Sequence, residues 1–170
     1  MTGVVDLLRF EPSGRVPNSA LPVLMHRGAL PPGAGAAAHE ALFARHGWFN
    51  AWRNGVYPFH HFHSTAHEVL GICGGRATLR LGGEGGRDVA VSAGDVLVLP
   101  AGTGHRLIAA DDGFSVVGAY PDGRDWDLIR ADDASEDDVR RAVAAIAGLP
   151  VPERDPATGE PLSAHWRLPR

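Results

Sequence analysis

The chain has 170 residues, and its 44% hydrophobic and 21% charged residues are the proportions of a globular protein rather than a disordered one. Its formal net charge of −4, with acidic and basic residues interspersed, provides no basic surface for nucleic acids or anionic membranes. No apolar run approaches the roughly 20 residues that span a bilayer, so we expect one cytoplasmic domain that binds neither nucleic acid nor membrane.

Residues 1–47 are predicted to contain one strand and one helix that pack on the core of the domain. The stretch through Pro17 has no regular pattern, whereas Leu21–Arg27 has the pattern of a strand. A helix is predicted from His39 to about His46, with Gly47 after it as a left-handed cap.

Residues 48–121 are predicted to form the β core. Short apolar runs with a period of two residues are separated there by turns rich in Gly and Pro. The predicted strands are Trp48–Asn54, Tyr57–His63, Glu68–Cys73, Ala77–Leu81, Arg87–Ser92, Val96–Leu99, His105–Ala109 and Phe114–Tyr120. Eight short strands without crossover helices predict an antiparallel sandwich or barrel.

Residues 122–170 are predicted to form a helix followed by a Pro-rich, extended arm of the same domain. The helix has Ser135 as its N-cap, acidic residues in its first turn, and an apolar face made of Val139, Val143 and Ile146. Trp166 indicates that the arm docks on the rest of the domain.

The composition narrows the chemistry to imidazole and carboxylate groups. Cys73 is the only cysteine, which excludes an intrachain disulfide and a cysteine-based zinc site. All 16 basic residues are arginine, so a Schiff-base lysine or a lysine general base is also excluded. Five of the nine histidines, by contrast, fall between His60 and His105.

Strand geometry groups two of these histidines with a carboxylate. Alternate side chains of a strand point to opposite faces, so His61 and His63 share a face and can bind one ion together. Glu68 follows after a short turn and can come alongside them. A fourth ligand from a distant strand would leave one or two positions for water and substrate, and His105, which begins a returning strand, is the candidate.

Two sequence motifs resemble those of the cupin superfamily. Gly55 to Gly75 matches the first cupin motif, G-x5-H-x-H-x4-E-x6-G, at every defined position. Gly94 to Ala109 matches the second, G-x5-P-x-G-x2-H-x3-N, except that Ala109 stands where asparagine is usual. The resemblance implies an RmlC-like fold, a mainly β, single-domain jelly-roll barrel (a double-stranded β-helix). It also implies the metal ligands His61, His63, Glu68 and His105, and asparagine is not a usual ligand.

The flanking segments are similar to those of the YjlB-type small bacterial cupins. The phrases that carry this likeness are Tyr57–Gly71, Gly118–Gly123, Asp125–Asp127, Pro161-Leu162 and His165-Trp166. They extend the resemblance from about a third of the chain to most of it. No activity follows from this subgroup.

The four ligands predict one divalent metal per chain, with Fe, Mn, Ni, Co and Zn all compatible. We expect a dioxygenase-like enzyme that acts on a small, oxygen-rich molecule. The alternatives are a metal-dependent isomerase or lyase and a non-catalytic cupin that binds or senses a small ligand. Isomerase or lyase chemistry needs a general base, and the candidate catalytic residues are Glu68, Tyr57 and His67.

Several roles remain open at this level. His60 and His67 lie on the face opposite the ligands, where packing is the favoured role, although His67 is also a candidate proton carrier. Arg76 and Arg80 share one strand face and could hold an acidic substrate, but solvent exposure is favoured. Exposed strand edges and the C-terminal arm make a homodimer plausible.

Overall fold

A computed structural model describes residues 4–168, in which eleven strands form two antiparallel sheets. The six-stranded sheet has, in spatial order, β1 (Val5–Leu8), β2 (Val23–His26), β8 (Val96–Leu99), β5 (Glu68–Gly74), β10 (Ser115–Pro121) and β3 (Trp48–Asn54). The five-stranded sheet has β11 (Ile129–Arg130), β4 (His61–Phe62), β9 (His105–Ala110), β6 (Arg76–Leu81) and β7 (Arg87–Ser92). The predicted fold class, a mainly β jelly roll in one domain, is confirmed.

The two sheets enclose one apolar interior. Leu70 and Ile72 of β5 face Leu79 and Leu81 of β6 across it, and all four side chains are at most 1% exposed. Alternate residues of β5 therefore point inward, with the side chain of Glu68 on the same face at the start of the strand. This alternation places the Glu68 carboxylate at one end of the apolar core.

The outer face of the six-stranded sheet is covered by the helix α1 (Gly35–Arg45) and by the C-terminal arm. Phe43 of α1 and Val69 of β5 belong to this second apolar cluster, and both are fully buried. A Cβ atom at Gly71 would lie 2.5 Å from the ring of His39, so glycine is needed for the helix to approach this closely. Because both faces are covered, β5 and β8 are apolar almost without alternation.

The helix α2 (Glu136–Ala147) begins as the sequence predicts. The Ser135 hydroxyl accepts a hydrogen bond from the backbone N–H of Asp138, whose carboxylate accepts one from the backbone N–H of Ser135. The predicted apolar face is wrong at Val143, which is 49% exposed. Ala142 is the buried residue of this helix.

Several elements differ from the prediction, most clearly the N-terminal stretch, the helix α1 and the strand predicted from Tyr57. The N-terminal stretch is not irregular throughout, because β1 pairs with β2 from Val5 opposite His26 to Leu8 opposite Val23. The helix α1 begins at Gly35, four residues before the predicted start. The strand predicted from Tyr57 to His63 is reduced to β4, since Pro58 has no N–H group to donate to a ladder.

The C-terminal arm docks on the outer apolar cluster, as Trp166 predicts. The Trp166 indole is 1% exposed, and its Nε1–H donates a 2.8 Å hydrogen bond to the Pro22 carbonyl. Asp155, also buried, lies 2.7 Å from Nε2 of His26 in β2. Among residues 4–168, none of the helices is both long and apolar enough to cross a membrane.

The Trp166→Ala substitution is expected to lower the free energy of unfolding by about 3–5 kcal/mol, because it leaves a large cavity under the arm. The matched control is Leu168→Ala at a side chain that is 53% exposed, for which a change within about 0.5 kcal/mol is expected. Urea unfolding followed by circular dichroism measures both values. Equal stability of the two variants would contradict the docking of the arm.

Candidate metal centre

The four side chains predicted as ligands meet at one end of the interior. His61 of β4 lies directly opposite His105, the first residue of β9. His63 follows β4, and Glu68 begins β5 in the other sheet. All four side chains are buried, with 2–5% of their surface exposed. The sequence therefore locates the cluster, and the facing sheets bring its two parts together.

The donor atoms of the cluster converge. One ring nitrogen from each of His61, His63 and His105 lies within 4.8 Å of the other two. The Oε1 atom of Glu68 lies 3.4 Å from Nε2 of His63 and 3.3 Å from Nε2 of His105. Three imidazoles and one carboxylate at these distances are a donor set that suits a divalent transition metal.

Each of the three imidazole rings is oriented by a hydrogen bond from its Nδ1 atom. Nδ1 bonds to a main-chain carbonyl in every case, that of Phe59 for His61, of Thr103 for His105 and of Asp127 for His63. A ring that donates from Nδ1 presents the lone pair of Nε2, which is the form that ligates a metal. The backbone thus fixes all three rings in one tautomer.

Glu68 is held by an aromatic pair that the sequence analysis did not identify. The Tyr120 hydroxyl donates a 2.7 Å hydrogen bond to Oε2 of Glu68 and accepts one of 2.7 Å from Nε1 of Trp52. A Cβ atom at Gly118 would lie 2.3 Å from the Trp52 ring, so glycine provides the space for this indole. Among the described residues, Oε1 of Glu68 has no hydrogen-bond partner, although it is fully buried. A cation at the cluster would satisfy this atom.

The charges within the cluster are strongly coupled. Burial raises the pKa of Glu68, but the neighbouring His63 and His105 outweigh it and hold the carboxyl pKa well below its usual range. Burial lowers the pKa of His63, whereas Glu68 and Asp127 raise it to a net value above normal. For His61, burial and the nearby His105 outweigh the raising effects of the Phe59 carbonyl and of Glu68, and they lower its pKa to about 2. Without a cation, Glu68 is thus an ionised carboxylate and His61 a neutral imidazole, and both are in the form that binds a metal.

Asp127 positions His63 from outside the two motifs. Its carboxylate accepts hydrogen bonds from the backbone N–H groups of Ser64 and Thr65, and its main-chain carbonyl accepts the one from His63. These hydrogen bonds hold residues 122–130 in place across the end of the barrel. The segment in turn places Trp126 over Tyr120, with parallel rings 4.4 Å apart.

A pocket of about 340 Å³ opens on the cluster. Its walls include Trp52, Val56, Tyr57, Leu70, Tyr120, Trp126 and Leu128, with His61, His63, Glu68 and His105 at its base. Tyr57 is a candidate catalytic residue from the sequence, and it lies at the mouth with 50% of its surface exposed. Its ring stacks on that of Phe59, with the centroids 4.9 Å apart.

The second candidate, His67, points away from the pocket. Its Nδ1 accepts a 2.9 Å hydrogen bond from the backbone N–H of Ala101, and its ring centroid lies 4.9 Å from that of Trp166. This placement favours a structural role for His67, which links the β core to the C-terminal arm. A catalytic role for it stays a prediction without a contact to support it.

The other residues whose roles the sequence leaves open lie outside the site. Arg80 pairs with Asp88 on the surface of the sheet, and Arg76 is exposed on the same strand. His60 is half-buried, and burial together with Arg106 lowers its pKa. Ala109, where the second motif departs from its pattern, is exposed and does not line the pocket.

The sequence and the fold agree on one family. A family model described as the cupin domain matches residues 47–117. The uncharacterized protein YjlB of Bacillus subtilis (strain 168) is 38% identical over 160 residues, which cover 92% of this chain and 93% of YjlB. The chain is a cupin.

Solved structures resemble this cupin more distantly. Acireductone dioxygenase from Bacillus anthracis, described with a cadmium ion in its active centre, is 20% identical, with a TM-score of 0.42 over 58% of this chain and 76% of the dioxygenase. The 11S globulin procruciferin from Brassica napus is 19% identical, with a TM-score of 0.39, and this cupin spans about a fifth (21%) of its length. At these scores neither likeness carries an argument about activity.

The Tyr120→Phe variant of this cupin is expected to bind Zn(II) about 10-fold more weakly, because Glu68 loses the hydrogen bond that orients it. Tyr57→Phe removes a hydroxyl from the same pocket without a bond to Glu68, and its zinc affinity is expected to equal that of the parent. Competition with a chromophoric chelator measures the three affinities. Equal affinity in all three proteins would show that Tyr120 does not position the carboxylate.

The metal-free protein is expected to lose stability as the pH falls, partly through His67. Burial lowers the pKa of His67 to about 4, so below its unfolded pKa of about 6.5 the unfolded chain binds a proton that the folded one does not. This residue alone is expected to remove about 2 kcal/mol between pH 7.5 and pH 5. Urea unfolding in the presence of a chelator should show a shallower pH dependence for His67→Asn, and identical slopes would contradict the buried, neutral imidazole.

Proposed function

We propose that this cupin is a metal-dependent, dioxygenase-like enzyme that holds one divalent ion at His61, His63, Glu68 and His105 and acts on a small molecule. The observation that carries the proposal is the convergence of three backbone-oriented imidazoles on a buried carboxylate oxygen that has no hydrogen-bond partner among residues 4–168. The adjoining pocket of about 340 Å³ gives a small molecule access to the same donors.

The donor set restricts the metal to a group of divalent transition ions but does not select one of them. Three imidazoles and one carboxylate suit Fe(II), Mn(II), Ni(II), Co(II) and Zn(II). When bound, such an ion supplies a Lewis acid and, for a redox-active metal, a centre at which dioxygen chemistry is possible. Because Tyr120 occupies Oε2 of Glu68, the carboxylate offers its other oxygen, Oε1, to the cation.

The residues of the chain provide a dry, shaped reaction space. Apolar and aromatic side chains form most of the pocket wall, and burial of the ligands excludes bulk water from the base. Asp127 keeps His63 in place through its main-chain carbonyl, while Tyr120 keeps Glu68 in place. Positioning and exclusion of water are therefore the contributions of the protein.

Oxygenation is favoured over isomerisation or lyase chemistry because Glu68 serves as a ligand and Tyr57 lies at the exposed mouth of the pocket, which leaves no well-placed base among the described residues. His67 points away from the pocket. Burial and the charge of Glu68 raise the pKa of Tyr120, so its hydroxyl remains a neutral donor. Dioxygenation, in which both oxygen atoms enter the product and the substrate supplies the electrons, needs neither a protein base nor an external reductant.

The metal content of purified protein tests the ligand set. The parent is expected to contain one divalent metal per chain, and Glu68→Gln and His105→Ala are each expected to contain much less, because each removes a donor atom. The fold is expected to persist because the apolar interior is separate from the cluster. Plasma mass spectrometry and circular dichroism measure these properties, and full occupancy in both variants would refute the assignment.

Oxygen consumption tests the reaction class. The Fe(II)-loaded parent, incubated aerobically with a panel of small hydroxylated and acidic molecules, is expected to consume oxygen with at least one of them. The His105→Ala variant and the Zn(II)-loaded parent are the controls, and neither is expected to consume oxygen. If a tightly bound molecule is recovered unchanged and no oxygen is consumed, the protein is a binding cupin rather than an oxygenase.

A further inference from the structure

The wall of the pocket above the candidate metal centre is largely aromatic. Four aromatic side chains, Trp52, Tyr57, Tyr120 and Trp126, line a space of about 340 Å³ together with Val56, Leu70 and Leu128. A cavity of about 150 Å³ is sufficient for one benzene ring, so this pocket has room for a substituted ring. Its size and its lining both suit a flat, apolar ligand.

Two of these rings are each stacked on a neighbouring ring and remain partly exposed. Trp126 stacks on Tyr120 at 4.4 Å with the ring planes 9° apart, and it remains 39% exposed. Tyr57 stacks on Phe59 at 4.9 Å with the planes 15° apart, and it remains 50% exposed. Each ring is thus supported by one stacked neighbour and keeps exposed surface at the pocket, so it can contact a ligand with little further loss of side-chain entropy.

The wall provides no free cation for a polyanionic ligand. Among the described residues that line the pocket, Arg53 is the one arginine, and the chain contains no lysine. The Arg53 guanidinium already donates to both carboxylate oxygens of Glu40, at 2.6 and 3.0 Å. A phosphate or a second carboxylate would therefore enter the pocket without a charged partner, which disfavours such ligands.

We infer that the small molecule bound here is a planar aromatic compound that carries two adjacent oxygen donors and at most one negative charge. This inference rests on the proposed metal centre, since the oxygen atoms face the histidines and Glu68 at the base of the pocket. The ring occupies the aromatic part of the pocket, where Trp126 and Tyr57 contribute stacking. This inference narrows the small, oxygen-rich molecule expected from the sequence to an aromatic one.

Two chelating anions of matched chemistry test the inference on the Zn(II)-loaded protein. Tropolone and acetohydroxamate each bind a metal through two adjacent oxygen atoms, but only tropolone has an aromatic ring. Trp126→Ala is expected to weaken tropolone binding roughly five-fold and to leave acetohydroxamate binding within about two-fold of the parent. Trp126→Phe, which keeps a ring, is expected to restore most of the tropolone affinity.

Isothermal titration calorimetry and the zinc content of each protein separate the possible failures. If zinc is present but Trp126→Ala weakens both chelators equally or neither, the aromatic subsite is refuted and the metal centre remains. If the parent binds no zinc, the metal centre itself is refuted, and the inference fails with it. If Trp126→Ala weakens the binding of tropolone alone and Trp126→Phe restores that affinity, the assignment is supported.

Discussion

The site depends on the burial of one carboxylate. Glu68 is 2% exposed at the end of an apolar interior, where an unpaired charge is costly. Tyr120 satisfies one carboxylate oxygen by a hydrogen bond, and the charge of the neighbouring histidines keeps the pKa of the group low. The other oxygen has no hydrogen-bond partner in the described part of the chain. A divalent cation among the imidazoles would satisfy this oxygen.

Much of the remaining structure serves to hold this carboxylate and its neighbours. Gly118 allows Trp52 to approach, Trp52 donates to Tyr120, and Tyr120 donates to Glu68. On the opposite side, Asp127 connects the segment after the barrel to His63. These supports come from the six-stranded sheet and from the segment after β10, whereas His61 and His105 lie in the five-stranded sheet, so the cluster needs both sheets in place.

The strands and the ligand residues were largely predictable because both follow local rules. Period-two patterns located most of the strands, and the alternation of side chains paired His61 with His63. Glu68 and His105 were predicted by their spacing and by the cupin motifs that contain them. The strand predicted from Tyr57 to His63 is shorter in the structure, because Pro58 interrupts it.

The supports of the site were not predictable, since they arise from contacts between distant segments. Tyr120 and Trp52 are 52 and 16 residues from Glu68, respectively, and the carbonyl that orients His63 belongs to Asp127. A signal was nevertheless present. The phrases Gly118–Gly123 and Asp125–Asp127, which resemble YjlB-type cupins, contain two of these three residues. Without the sheet register, no role could be assigned to them.

X-ray absorption spectroscopy of the Zn(II)-loaded protein tests the central claim most directly. The expected result is one zinc per chain with three imidazole nitrogens at about 2.0–2.1 Å and at least one additional oxygen ligand. The Glu68→Gln variant should bind zinc more weakly, and any zinc retained should keep the imidazole signal. A spectrum of the parent with fewer than two imidazole ligands per zinc would contradict the account.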